Sequence, residues 1–172
     1  AVTVAVMAVD CDTGRNRCYV AAAAGDEFTT VDVTSSTNPY RKGTYTSSTY
    51  MDNAQGVAVD TVHDWAYVAV SGKDRVTVMD VSANTPAMLY SLSSSTALDG
   101  AYGVVYDWVH RRLVVSAPTD DEVTVLSVNV DTVVSFYPTS VPVPNPSRQP
   151  TPYPTSVPVP NPSRQPTPYP TN

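Results

Sequence analysis

The chain has 172 residues, 42% hydrophobic and 15% charged, with 16 prolines, 7 glycines and 2 cysteines. Thirteen of the prolines follow Phe136, in a stretch without Gly or acidic residues whose only charges are Arg148 and Arg164. Residues 1–136 therefore hold the core-forming capacity and a charge of −8. Such an acidic head repels phosphates, which argues against a nucleic-acid partner, and no run of about 18 apolar residues is present to insert into a membrane. The start at Ala1, without Met or an apolar leader, reads as a processed or partial chain.

Residues 1–136 contain three related units, about 1–50, 51–98 and 99–136. The first carries AVMAVDCDTGRNRCYVAAAAGDEFTTVDVTSSTNP, the second GVAVDTVHDWAYVAVSGKDRVTVMDVSANTP and the third YGVVYDWVHRRLVVSAPTDDEVTVLSVN. Aligning them matches Asp10 with Asp60 and Asp107, Tyr19 with Tyr67 and Leu113, Asp32 with Asp80 and Ser127, and Pro39 with Pro86. Short runs rich in Val, Tyr and Thr alternate apolar and polar residues, the period-two pattern of strands. In the middle unit the strands are expected at 56–60, 66–71, 75–81 and 88–93, with Ser/Thr-rich joints such as 46–49 and 91–96 between units. Four short antiparallel strands repeated every 40 to 50 residues or so are β-propeller blades. The fold class is thus all-β: three four-stranded antiparallel blades, an incomplete ring, followed by an extended polyproline II tail. Rings close with about four to eight blades, so three leave two uncovered faces and predict self-association.

In the first unit, Cys11 and Cys18 flank Asp12-Thr13-Gly14-Arg15-Asn16-Arg17, a hairpin loop expected to be two residues longer than in the middle unit. Facing positions of a hairpin bring Cβ atoms close enough for a disulfide, which implies an oxidising, extracellular setting. A metal pair is disfavoured because His63 and His110 are remote in sequence. Asp12-Thr13-Gly14 spells an aspartic protease signature, but sits in this loop and reads as a turn. A calcium loop beginning at Asp10 and Asp12 lacks its later ligands. Asp60-x-x-His63 and Asp107-x-x-His110 recur at equivalent turns, so Asp10, Asp60, Asp107, His63 and His110 are read as blade turn locks, the Asp accepting backbone N–H groups. Trp65 and Trp108, one per unit, read as packing residues, and 120–122 as a solvated acidic turn. No nucleophile has a local His partner and no Gly-rich phosphate loop occurs. The expectation is a non-enzyme with no catalytic residue, metal or cofactor.

The string GVAVDTVHDWAYVAVSGKDRVTVMDVS resembles the YVTN and LVIVD type of propeller repeat, in which a GVAV-type inner strand precedes YVA and V-x-V-x-D strands. The Asn38-Pro39 and Thr85-Pro86 pairs resemble the LVIVD form. The resemblance covers residues 4 to about 136, weakens in the third unit, and implies a fold rather than an activity.

In the tail, YPTSVPVPNPSRQPTP at 137–152 recurs unchanged at 153–168, with prolines spaced 4, 2, 2. All tail prolines lie at even positions, so PxxP ligands are absent, and the lack of Gly excludes collagen. A polyproline II stem of residues 137–172 would be on the order of 110 Å long. Its Val-Pro, Thr-Pro and Asn-Pro pairs interleaved with Ser and Thr resemble the hydroxyproline-rich glycoproteins of plant and algal walls and appendages. That resemblance implies hydroxylation and O-glycosylation at Pro142, Pro144, Pro150, Pro152, Pro158, Pro160, Pro166 and Pro168, with covalent glycans as the only added groups. N-linked glycans are not expected, since Pro146 and Pro162 break both sequons. Together these features predict an extracellular structural glycoprotein, a fibril, wall or appendage subunit whose head associates with itself. The alternative is a carbohydrate- or protein-binding propeller displayed on a stalk.

Overall fold

The computed structural model describes residues 5–119, 121–129 and, as backbone, 138–139. The chain divides into two units, Ala1–Val141 and Pro142–Asn172. The second lies outside the described residues, and with it every candidate hydroxylation site.

The first unit is three antiparallel four-stranded sheets, each a simple meander. Blade one is β1 (Val6–Asp12), β2 (Arg17–Ala22), β3 (Glu27–Asp32) and β4 (Tyr40–Thr46). Blade two is β5 (Ala54–Asp60), β6 (Trp65–Val70), β7 (Arg75–Asp80) and β8 (Ala87–Ser93). Blade three is β9 (Val104–Asp107), β10 (Arg112–Ala117), β11 (Glu122–Ser127) and β12 (Pro138–Thr139). The strand β12 falls inside the segment read from sequence as stem. A proline fits there because an edge strand needs no N–H on its open side. The other regular element among the described residues is a single 3-10 turn at Ser71–Lys73.

The blades stack through their first strands, β5 lying against both β1 and β9. Blade two is therefore covered on both faces, which explains why β6, Trp-Ala-Tyr-Val-Ala-Val, is apolar throughout instead of alternating. Its Ala66, Val68, Val70 and Met79 pack against Tyr19, Ala21 and Phe28 of blade one, around Met51. Its Tyr67, Ala69, Val76 and Val78 pack against Val104, Leu113, Val115 and Leu126 of blade three, around Leu98. Met51 and Leu98 are both fully buried and end one-turn loops of the same design. In each, a serine hydroxyl, Ser47 or Ser94, accepts backbone N–H groups two and three residues on.

The strand register corrects the third-unit alignment. Asp12 pairs with Arg17, Asp60 with Trp65 and Asp107 with Arg112. Counting along β10 from Arg112, the equivalent of Tyr19 and Tyr67 is Val114, not Leu113. A one-residue slip moves a strand residue to the other face. Leu113 is accordingly buried against blade two, while Val114 is 38% exposed.

Polar contacts repeat with the blades. The Asp26 and Asp74 carboxylates accept the Asn53 and Gly100 amides that lead into the next blade. The Thr77 hydroxyl donates to the Tyr50 carbonyl at 2.8 Å, and Thr124 makes the same bond to Ala97. Arg17 caps the blade one–two seam by donating to the carbonyls of Val81, Ser82 and Ala83 and to the Asn84 side chain. At Gly56 the approach is so close that an added Cβ would stand 2.5 Å from the Tyr102 oxygen.

Candidate functional site

Two regions of the first unit carry chemistry that packing does not consume: the turns joining the first two strands of each blade, and the outward faces of blades one and three.

Each first turn has four residues, 13–16, 61–64 and 108–111, closed by a left-handed residue at Asn16, Asp64 or Arg111. The first loop is thus the same length as the others, because β1 and β2 run on to Asp12 and Arg17 and take the flanking residues into the ladder. In blade two, Asp60 Oδ1 accepts from the Val62 and His63 amides and Oδ2 lies 2.6 Å from His63 Nδ1. Blade three repeats this, Asp107 Oδ1 accepting from Val109 and His110 and Oδ2 lying 2.7 Å from His110 Nδ1. That contact with His110 holds the Asp107 carboxyl below its ordinary value. Each Asp–His pair closes its own turn, and no three His, Cys, Asp or Glu side chains gather as a metal set among the described residues.

In blade one the corresponding carboxylate is Asp12, not Asp10. Asp12 Oδ1 accepts from the Arg15 amide, and Arg15 takes the place of the histidine, bridging to Asp64 of the next blade. Asp10 lies two residues back on the same strand face, and its Oδ2 accepts the Val59 amide of blade two at 2.9 Å. It is a seam residue rather than a turn lock.

Beside the Asp60 turn lies a cleft of about 260 Å³ lined by Val59, Asp60, Thr61, Val62, Tyr106 and Trp108. Trp65 packs edge-on against Tyr90 at 6.3 Å, as the sequence reading expected. Trp108 does not pack in this way: it is 75% exposed, because it is the first residue of its turn, the position of Thr13 and Thr61, which are exposed as well. Burial, and then the neighbouring Asp60 carboxylate, push the Tyr106 hydroxyl up to about 12, so it is a protonated donor at neutral pH.

The Cys11–Cys18 disulfide joins a directly paired residue couple of β1 and β2, with Cα atoms 4.1 Å apart. It lies on the outward face of blade one. The equivalent couples are Val59–Ala66 and Tyr106–Leu113, each turned toward the preceding blade. The same outward face holds Val9, Val20, Thr29 and Val31, with a shallow depression of about 200 Å³ lined in part by Val6, Val20, Ala22 and Val31. On the far side, blade three presents Val105, Val114 and Val123 to solvent. The repeated signal that sequence reading passed over is the equivalence of Asp26 and Asp74 with Asp121 of the acidic turn, each a left-handed residue just before a third strand; the Ser-Ser-Thr runs at 47–49 and 94–96 lie in the joints expected between units.

No family model matches the chain, and no curated protein matches its sequence. Solved structures match its fold. A protein described as a candidate 6-phosphogluconolactonase from Bacteroides uniformis aligns with TM-score 0.66 at 11% identity, over 79% of this chain and 40% of that one. The β-propeller domain of Cps50 (Swd1) from Myceliophteria thermophila aligns with TM-score 0.56 at 12% identity, over 79% and 39%. A chain of a nidogen/laminin complex aligns with TM-score 0.54 at 16% identity, over 78% and 49%. At these identities the likeness concerns the fold, which is β-propeller-like. The chain spans 39% to 49% of the length of these neighbours.

Proposed function

We propose that the protein is a non-enzymatic, extracellular structural glycoprotein, a subunit of a fibril, wall or surface appendage. Its propeller-type head associates with other heads, and its proline repeats form a rigid, O-glycosylated stem. The observation that supports this most is the pair of blade faces, on blades one and three, that no other described blade covers. A blade is stable because both of its faces are covered, and burying valine and tyrosine there contributes roughly 25 cal/mol per Å². Exposed Val6, Val9, Val105, Val114 and Val123, 38% to 65% accessible, are therefore surfaces that association would stabilise. The intrachain disulfide accords with an oxidising compartment. The repeats contribute stiffness, since polyproline II has no internal hydrogen bonds and sugars would cover its exposed carbonyls.

Mass spectrometry of native residues 137–172 tests the stem. The reading expects added oxygens on the X-Pro prolines together with pentose or hexose units. A peptide of plain sequence mass would remove the glycoprotein half of the proposal.

A second reading rests on the Trp108 cleft. An exposed indole beside a protonated Tyr106 hydroxyl and the Asp60 carboxylate is a surface on which a sugar ring could stack and donate hydrogen bonds. In this reading the head binds a carbohydrate and the stem holds it away from a surface. Nuclear magnetic resonance shifts of the Trp108 indole on titration with wall oligosaccharides would support it, and unchanged spectra would dismiss it. Some fold neighbours are described as candidate lactonases, but at 10–11% identity this supports no assignment of catalysis here.

A further inference from the structure

We infer that the open face of blade three docks on the open face of blade one of a second copy, reproducing the seam that joins blades within the chain. This deepens the self-associating head proposed above and rests on that reading.

Each internal seam has a leading side, on the earlier blade, and a trailing side, on the later one. On the leading side of the first seam stand Tyr19 and Phe28, the Asp26 carboxylate and the Arg17 guanidinium. Register places their blade-three equivalents at Val114, Val123, Asp121 and Arg112. All four are exposed, and Asp121 shares the left-handed backbone of Asp26 and Asp74. On the trailing side stand Val68, Ala66 and Thr77 in blade two, and Val115, Leu113 and Thr124 in blade three. Their blade-one equivalents are Val20, Cys18 and Thr29 on the outward face, where Val20 and Cys18 are partly accessible and Thr29 is buried with its hydroxyl paired to Thr44 of the same blade.

The two open faces are thus opposite halves of one interface, which the chain already forms twice. A face of one kind does not match itself, so the contact is heterologous, blade three to blade one. By analogy with Arg17 over residues 81–83, Arg112 would reach the carbonyls of Val33, Thr34 and Ser35 of the second copy. The shallow depression around Val20 and Val31 would take Val114 and Val123. Two chains joined twice in this way hold six blades, within the range of about four to eight at which such rings close. Two of the chains that match this one in fold are about twice its length, the length that a pair supplies.

The test uses the whole 172-residue chain and two variants, Val114→Asp and Val20→Asp, each placing a carboxylate in one half of the seam. By sedimentation equilibrium the parent should be a two-chain particle. Each variant alone should associate at least about 100-fold more weakly, because burying an unpaired carboxylate is prohibitive. Mixing them should restore pairing through one seam, where the intact blade-three face of Val20→Asp meets the intact blade-one face of Val114→Asp, while the second seam holds both carboxylates and stays open, so the mixture should pair more tightly than either variant and less tightly than the parent. Should Val114→Asp fail to fold, Val123→Asp at the start of β11 serves in its place with the same expectation. Association that survives in both single variants, or is lost in only one of them, overturns the inference and leaves the structural-subunit reading standing. A parent chain that stays monomeric overturns both.

Discussion

The Thr77 hydroxyl donates to the Tyr50 carbonyl at 2.8 Å, tying the third strand of blade two to the loop through which the chain leaves blade one. Thr124 makes the same bond to Ala97 one blade later. Thr77 is fully buried, so the bond pairs a hydroxyl that water cannot reach. Replacing Thr77 by Val keeps the shape and removes the donor, and should cost about 1–3 kcal/mol in urea unfolding. Thr77→Ser should recover most of this. Equal stability of the Val variant and the parent would mean that the Tyr50 carbonyl finds another donor.

Leu113 and Val114 are neighbours in sequence on opposite faces of β10. Leu113→Ala should destabilise by about 2–5 kcal/mol through the cavity it leaves. Val114→Ala in the dissociated chain should stay within about 0.5 kcal/mol, as exposed positions do. Comparable losses at both positions would show that the register assigned to blade three is wrong.

That register also marks where the sequence was legible and where it was not. The four strands of blade two were readable to within two residues because their turns are punctuated by Asp, Gly and Pro at fixed places. In blade three the alignment slipped by one because Val114 lacks the bulk of Tyr19 and Tyr67, and the adjacent Leu113 is the larger residue. Asp10 was mistaken for the turn carboxylate because Asp10 and Asp12 share a strand face, and only the pairing of Asp12 with Arg17 separates them. Trp108 was misread because it was paired with Trp65 as one tryptophan per unit, whereas Trp65 opens β6 and Trp108 is the first residue of a turn. Asp26, Asp74 and Asp121 recur at the same spacing as the strands, yet acidic turn residues look solvated until the amide of the following blade is seen above Asp26 and Asp74.

The Asp32 carboxyl is held well below the usual carboxylate range by Lys42, 2.7 Å away, with help from Thr34. A depressed folded-state pKa contributes stability that is present above the unfolded value of about 3.9 and is lost as pH falls below it. Denaturant unfolding of the parent should therefore weaken more steeply below about pH 4 than that of Asp32→Asn. Above about pH 5 the two curves should be parallel, with the variant lower. Parallel curves through the acid range would remove Asp32 from the acid response.

Arg15 and Arg17 lie between Cys11 and Cys18, so unreduced tryptic digestion should yield two peptides held together by the disulfide. Replacing both cysteines by Ala should cost about 2 kcal/mol, the loop-closure entropy of so short a ring. Free thiols at both positions in native material would contradict the bond and remove the support for an oxidising compartment.

Electron microscopy of native material tests the central claim most directly. A structural subunit whose heads pair and whose rigid, sugar-coated stems associate laterally should appear as filaments or sheets with regularly spaced paired heads. Discrete, dispersed particles, each of a single head and an unmodified tail, would contradict it.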